Sequence, residues 1–519
     1  MEVENAVEAL LADGAASYRL TLETDCAFWP HLEVAAQTCH ERLTAPRPVQ
    51  LASIDAMLSN LATHLDHVGR QVLVFELGLA HECDGVGSDM EVRDLSQPSS
   101  TTAEFIGELL AEYPGLRELL SVLTADAIRN TVEIERALLC DFQRICEVVI
   151  PERWKGRIEL ADITEIEWES SETHERGKVV ASLGTAACPK MFAYKPRCVA
   201  AEDRLTSRWR SWSQRNPRMS NWDLPNYLPR DSYGWASWMP QTECGSQSEV
   251  EDYFYRAGWL MALATTFGVT DLNRDNIVAC GASPVPVDLE AASHHRKCRF
   301  APSREGRLLP RQLEWNAMST GLLPMWIWKG EDLSGVDLSG FGGVDDQWCS
   351  VPVQQFVGRN TRSEKLVKSG VRLFPGRNVV KRDGRIQPPW EFVDLLLEGY
   401  QDCLHQLAGD RGWVASVLRE IRDGRVRFLA RPTAGYHYAI QASFHPVYLR
   451  DPAKRRRFLA GCLKDGSANA TMFVEAEVEA CYYGDIPRFA GTPAELLVSE
   501  TSQGDEISVP DDEYVPGYH

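Results

Sequence analysis

The segment TDLNRDNIVACGASPVPVDLE, residues 270–290, concentrates Asp271, Asn276, Asp288 and Glu290 in one short run. Gly281 and Pro284 mark a turn between two apolar runs, Ile277 to Ala279 and Val285 to Val287. The spacing predicts a loop followed by a β-hairpin. A hairpin of this length can bring the carboxylates of Asp271 and Asp288 to the same end, where hard oxygen ligands would hold a hydrated Mg2+. The plainer account of the same residues is an acidic hairpin on the surface of an acidic protein.

Such a site suits phosphoryl transfer. In kinase catalytic loops one Asp accepts the hydroxyl proton, an Asn a few residues later binds metal, and a second Asp after a strand holds the nucleotide's Mg2+. Asp271, Asn276 and Asp288 would fill those roles. Upstream, Val250 to Val269 reads as a buried helix feeding into this loop. Lys195, in Tyr194-Lys195-Pro196-Arg197, ends a strand-like run and could reach nucleotide phosphates as a point charge, although a lone strand lysine is usually only solvated. No Walker A motif is present: Gly177-Lys178-Val179 lacks both the spacing and the hydroxyl.

The 519 residues can bury a sizeable core, and the composition, 44% hydrophobic and 25% charged, is that of a globular chain. A net charge of −20 opposes an electrostatic grip on nucleic acid or anionic lipid, which carry the same sign. The N-terminal MEVENAVEALLADG has neither a basic nor a long apolar segment, and no run of about 18 apolar residues occurs, so no membrane insertion and a cytoplasmic location are expected. The 14 cysteines are scattered without a CxxC pair, as reduced core residues would be.

Residues 1–155 read as a helical region. Thr101 and Glu104 form a capping-box pattern ahead of Phe105, Ile106, Leu109 and Leu110, and a second helix is expected from about Ala125 to Val149. His64, His67 and His81 are expected to be structural. From Arg157 to Arg197 the pattern turns to short strands, IELADITEIEW, KVVASL and KMFAYKPR. Glu172-Thr173-His174 sets a carboxylate two residues from an imidazole that could transfer protons near neutral pH. A surface histidine is the plainer account. The tryptophans at 209, 212, 222, 235, 238 and 259 are expected to pack rather than to stack on bases. After a basic patch from His294 to Arg299, Leu322 to Gly343 reads as a long loop, and helices resume at Trp390 to Leu407 and Val414 to Ile421. Arg427, Arg431 and Thr433 could form a fork of phosphate donors or a surface salt-bridge ladder. The tail from Ser499 holds six acidic residues and no Lys or Arg, and disorder is expected there.

Taken together, these strings resemble the dehydratase portion of class II lanthipeptide synthetases, the LanM type, over roughly residues 60–490. In order they are Glu172-Thr173-His174 with Gly177-Lys178, Tyr194 to Arg197, Tyr233-Gly234-Trp235, Tyr255-Arg256-Ala257-Gly258 and Asp271 to Glu290. Leu323-Pro324, Asp337-Leu338-Ser339, Glu398-Gly399-Tyr400 and Arg427 to Tyr436 follow. Any one is weak, and their common order is specific.

The resemblance implies an α+β fold with a lipid/protein-kinase-like two-lobed catalytic core, a large helical N-terminal region and other helical insertions. The expected divisions are 1–155 helical, 156–257 N-lobe, 258–498 C-lobe with activation-type loop and elimination motif, and 499–519 acidic tail. It also implies a chain that phosphorylates Ser or Thr of a ribosomally made precursor peptide with ATP and Mg2+, then eliminates phosphate to leave dehydroalanine or dehydrobutyrine. Carried over by motif, Lys195 and Arg197 would contact ATP, Asp271 would orient the hydroxyl, and Asn276, Asp288 and Glu290 would hold Mg2+. Arg427 and Thr433 would grip the departing phosphate, with His174 and Glu172 assisting proton transfer. Two positions depart from the family pattern: Asn273 stands where a catalytic-loop His is usual and cannot titrate, and Glu172 stands where an Asp is usual. No cyclase ligands follow, so a separate cyclase or other tailoring enzyme would use the product. A peptide kinase that stops at phosphorylation, and a catalytically silent peptide-binding partner, are the rival readings.

Overall fold

The computed structural model describes residues 26–83, 100–169, 172–292, 316–324, 326–328, 335–359, 361, 364–422, 424–428, 431, 433–464 and 473–491. The expectations for the basic patch at 294–299, the His81 side chain and the tail from 499 lie outside the described residues. The chain forms two compact units, each discontinuous in sequence. One comprises Met1–Pro196, Gln354–Lys368 and Ala430–Arg488, and the other Arg197–Val353, Ser369–Leu429 and Phe489–His519. No described helix is long and apolar enough to cross a membrane.

In the first unit, helices Trp29–Arg42, Arg47–Cys83 and Pro114–Val148 pack against one another. The last begins well before the expected Ala125, because Pro114 takes the first helical position, where its fixed φ and missing N–H are no penalty. Its core face carries Leu116, Leu120, Ala127, Ile134, Leu138 and Ile145. On the same helix the buried Glu135 carboxylate accepts the backbone N–H groups of Thr44 and Ala45 at 3.0 and 2.8 Å, fixing the turn between the first two helices. Thr101 lies inside the helix Ser100–Glu112 rather than ahead of it, so it is not the N-cap expected.

Strands Glu165–Trp168, Ala181–Thr185 and Cys188–Lys195 follow one another in antiparallel pairing. The expected first strand is shortened: Leu160–Asp162 forms a 3-10 turn in which Glu159 and Asp162 cap each other's backbone. Short polar side chains that bond nearby backbone compete with strand pairing in this way. Four further helices, Thr433–Ser443, Pro446–Leu449, Pro452–Leu463 and Val474–Tyr482, gather around Arg455. Its guanidinium is fully buried between the rings of Phe444 and Tyr482.

The second unit is built on the crossing of helices Gln247–Thr266 and Val393–Gly409. Ser246 starts the first by accepting the N–H of Glu249, whose carboxylate accepts the N–H of Gly245, a reciprocal cap. Glycines set the crossing. A Cβ on Gly258 would run into the Leu396 carbonyl oxygen, and one on Gly399 into the Tyr255 carbonyl oxygen. The strings Tyr255 to Gly258 and Glu398 to Tyr400 are therefore the two sides of one helix contact. Trp209 stacks on Trp222 and Trp212 on Trp413, with Trp259 and Phe267 beside them, so these aromatics are interior packing. The helix at 247–266 leads into the segment 270–276 and the hairpin Ile277–Cys280 and Ser283–Pro286, in register Ile277 with Pro286 and Cys280 with Ser283. Gly281 makes the turn with φ +53°. The segment expected as one long loop, Leu322 to Gly343, instead contains a small antiparallel pair, Trp326–Trp328 with Gly335–Asp337.

Candidate active site

Asp271 opens the site with its backbone in the left-handed region, φ +66°. That conformation is uncommon for a residue with a Cβ and persists only where surrounding bonds impose it. Here they do. Thr270 N–H donates to the Ala291 carbonyl and Leu272 N–H to the Thr320 carbonyl, while the Asn276 side chain donates to the Asp271 carbonyl at 2.8 Å. Asn273 donates through its amide to Asp271 Oδ1 at 3.2 Å and accepts the Asp275 N–H through Oδ1 at 2.9 Å. Its side chain is thus a local brace, the kind of turn Asn forms readily.

The hairpin returns the chain beside this loop, with Val287 N–H donating to the Asn276 carbonyl at 2.9 Å. This sets Val287 opposite Asn276, with Asp288 one residue further along. Asp288 Oδ1 accepts the N–H of Glu290 at 3.0 Å and a nitrogen of Arg197 at 2.8 Å. Arg197 is buried and also bonds Glu290 Oε2 at 2.9 Å and Glu202. Burial alone would lower its proton affinity, but Asp288, Glu202 and Glu290 more than offset that and hold it charged. From the other side Arg427 donates to Glu290 Oε1 at 2.8 Å, and its backbone N–H donates to the Glu290 carbonyl at 2.9 Å. Strand Val426–Phe428, paired with Phe489–Gly491, presents it there. Its Nε is buried without a hydrogen-bond partner.

Four carboxylates, Asp271, Asp288, Glu290 and Glu202, therefore face two guanidiniums, and the balance is negative. Asp271 feels it: burial first and the Asp288 charge second push its carboxyl up to about 6, against the pull of Arg427 and the Asn273 amide. Among the described residues no three His, Cys, Asp or Glu side chains converge as a self-sufficient metal cage. Asp288 and Asn276, offset by one residue across the hairpin in a negatively charged cluster, fit a different case. Mg2+ takes one or two protein oxygens and completes its shell with waters and substrate phosphates.

Lys195, Glu172, His174 and Thr433 belong to the first unit. Lys195 ends its strand and is buried. His174 closes a tight turn by exchanging backbone hydrogen bonds with Lys178, through Glu175, Arg176 and Gly177, all at positive φ. The Asp485 carboxylate accepts the N–H groups of Arg176 and Gly177 at 2.6 and 3.1 Å, and Arg176 pairs with Asp126 at 3.0 Å. His174 Nδ1 lies 2.7 Å from the Ile486 carbonyl. Since a carbonyl only accepts, Nδ1 carries the hydrogen and Nε2 is left as the acceptor in the neutral ring. Glu172 Oε1 meets His437 Nε2 at 2.8 Å. Glu172 and Thr173 line a cavity of about 710 Å3 between helix Arg47–Cys83, strand Glu165–Trp168 and helix Thr433–Ser443. Thr433 begins that last helix.

Arg431 is not part of a phosphate fork. Its guanidinium bonds the buried Glu477 at 2.8 Å and the Leu463 carbonyl at 2.7 Å, and Tyr436 donates to the same Glu477 oxygen at 2.6 Å. It anchors the helix Thr433–Ser443 instead. Sequence reasoning missed Glu202, a buried partner of Arg197, and His437; the one signal for the latter was its position four residues after Thr433.

A family model described as "Domain of unknown function (DUF4135)" matches residues 113–491. A segment of 236 residues is 25% identical to the lacticin 481/lactococcin biosynthesis protein LcnDR2 of Lactococcus lactis subsp. lactis, covering 44% of this chain and 25% of that relative. With more than half of its length inside the match, and the Asp271 to Glu290 segment, Arg427 and Glu172 within it, the chain belongs to the DUF4135 family.

Proposed function

We propose that this protein acts in lanthipeptide maturation, phosphorylating Ser and Thr hydroxyls of a precursor peptide and then eliminating the phosphate, on a kinase-like core. The observation that carries the reading is the joined set Asp271, Asn276, Asp288, Glu290 and Arg427, with Asp271 held in a strained conformation by the residues around it. The name of the Lactococcus relative, a lacticin 481/lactococcin biosynthesis protein, supports the peptide class.

ATP with Mg2+, held at Asp288 and Asn276, would supply the phosphoryl group and neutralise its charge. Asp271, with a carboxyl titrating near 6, orients the substrate hydroxyl and accepts its proton. Phosphorylation converts hydroxide, a poor leaving group, into a stabilised dianion. For the elimination, the family resemblance assigns Arg427 in the second unit, and Thr433, Glu172 and His174 in the first, to the departing dianion and the substrate Cα proton. A second reading, a kinase that stops at the phosphopeptide, is favoured by one observation: Asn273 braces the loop and cannot titrate.

Co-expression with a candidate Ser/Thr-containing precursor peptide separates the two. A loss of about 18 Da per site is dehydration and a gain of about 80 Da is phosphorylation alone. The Asp288→Asn variant should leave the peptide unmodified. Arg427→Ala should slow elimination about 10²- to 10³-fold, the usual cost of removing one donor to a developing anion, so that phosphopeptide accumulates. Full dehydration by either variant in intact-mass spectra refutes the assignment.

A further inference from the structure

The helix Thr433–Ser443 brings to the wall of Glu172 a group that the reading above leaves unused. Thr433, His437 and Gln441 follow one another at four-residue steps and share one helix face. His437 Nε2 lies 2.8 Å from Glu172 Oε1, and the Gln441 amide lies 2.6 Å from His67 Nε2. All four of Glu172, His437, Gln441 and His67 line the 710 Å3 cavity. An ionised carboxylate only accepts hydrogen bonds, so Nε2 of His437 carries the hydrogen. Glu172 has three side-chain torsions and its side chain is 39% exposed, and a hydrogen bond to its carboxylate narrows the rotamers it samples.

Resting on the dehydratase reading, we propose that His437 is a positioning residue for elimination, holding the Glu172 carboxylate at the cavity wall as the acceptor of the substrate proton. In that step the Cα–H bond of the phosphorylated residue breaks and its proton passes to Glu172. The Cα–H pair forms the Cα=Cβ double bond, the Cβ–O bond breaks, and phosphate departs with the Cβ–O pair. His437 is not consumed and acts through its contact with Glu172.

The test uses the full chain and a chemically synthesised phosphoserine form of the peptide described above, so that elimination is read by itself, with the ATP- and Mg2+-driven reaction as a second arm. His437→Ala should slow phosphate loss roughly 10- to 100-fold, the loss expected of a hydrogen bond to a charged group. It should also move the acid limb of the pH–rate profile to higher pH, because a carboxylate stripped of its donor takes up a proton more readily. His437→Gln keeps an N–H donor and should restore most of the rate and the original limb. Around His437 the other titratable groups are His67 with Asp66 beside it, and the cavity residues Asp55, His64, Glu167, Glu169 and Tyr483. They are identical in wild type and variants, so a displaced limb reports on the Glu172 contact. Elimination by His437→Ala at the wild-type rate with superimposed profiles overturns the proposal. So does a Gln variant that is folded yet at least about 10-fold slower than wild type, and that outcome decides the matter even where the Ala variant does not fold. If the wild-type protein phosphorylates the peptide but removes no phosphate from it, the dehydratase reading fails, a result distinct from any difference between variants.

Discussion

The two clusters of carboxylates and cations differ in how they are held, and the difference separates what is rigid from what adapts. In the second unit, Arg197 is 8% exposed and bridges Glu202, Asp288 and Glu290, while Arg427 and Glu290 are each 10% exposed. In the first, His437 and Glu172 are 41% and 39% exposed and make one hydrogen bond to each other. Charges taken out of water must be paired in full, because an orphaned partner there costs several kcal/mol. A half-solvated pair carries no such obligation and contributes little to stability. The buried cluster is thus preorganised by the fold, whereas the exposed pair is an adjustable contact.

Three measurements would break or sharpen that contrast. The largest effect is expected for Arg197→Ala, which takes the guanidinium from Glu202 and Asp288 and leaves Glu290 with Arg427: urea unfolding should show a loss of about 3–5 kcal/mol, and a loss below about 1 kcal/mol would mean that water reaches the cluster. Next comes Asp271→Asn. The Asp271 carboxyl is raised to about 6 in the folded chain from an ordinary 3.8, so the folded state binds the proton more tightly than the unfolded state. Stability from this group is present below pH 4 and is lost as pH rises through about 6. Removing the charge should therefore stabilise the protein at pH 7.5, by roughly 3 kcal/mol at most given about 1.4 kcal/mol per unit, and the gain should vanish at pH 4. A variant less stable than wild type at both pH values would show that the carboxylate is structurally required. The smallest effect belongs to Glu172→Gln, expected to change unfolding free energy by less than about 1 kcal/mol. A larger loss would put the pair among the buried ones.

Much of the second cluster was legible because it is local. Gly281 at the turn, the flanking apolar runs, and the Asp271-Asn276 and Asp288-Glu290 spacings lie within one hairpin, and turn chemistry acts over a few residues. The strings around Gly258 and Gly399 were visible as a match but not as a reason; the crossing of their helices supplies it. Arg431 read as a donor to phosphate because a sequence shows a guanidinium without its neighbour, Glu477. Leu322 to Gly343 read as a loop because its strands are three residues each, too short for a period of two to register.

The sequence by itself determined the β-hairpin, its turn and the order of Asp271, Asn276, Asp288 and Glu290 around it, because backbone preference and turn geometry are set by adjacent residues. Only the tertiary structure decided that Arg197 and Arg427 meet at Glu290, that Glu202 completes the group, and that His437 reaches Glu172. Ion pairs join residues far apart in the chain, and both their strength and the proton affinity of Asp271 depend on how much water the surrounding packing excludes.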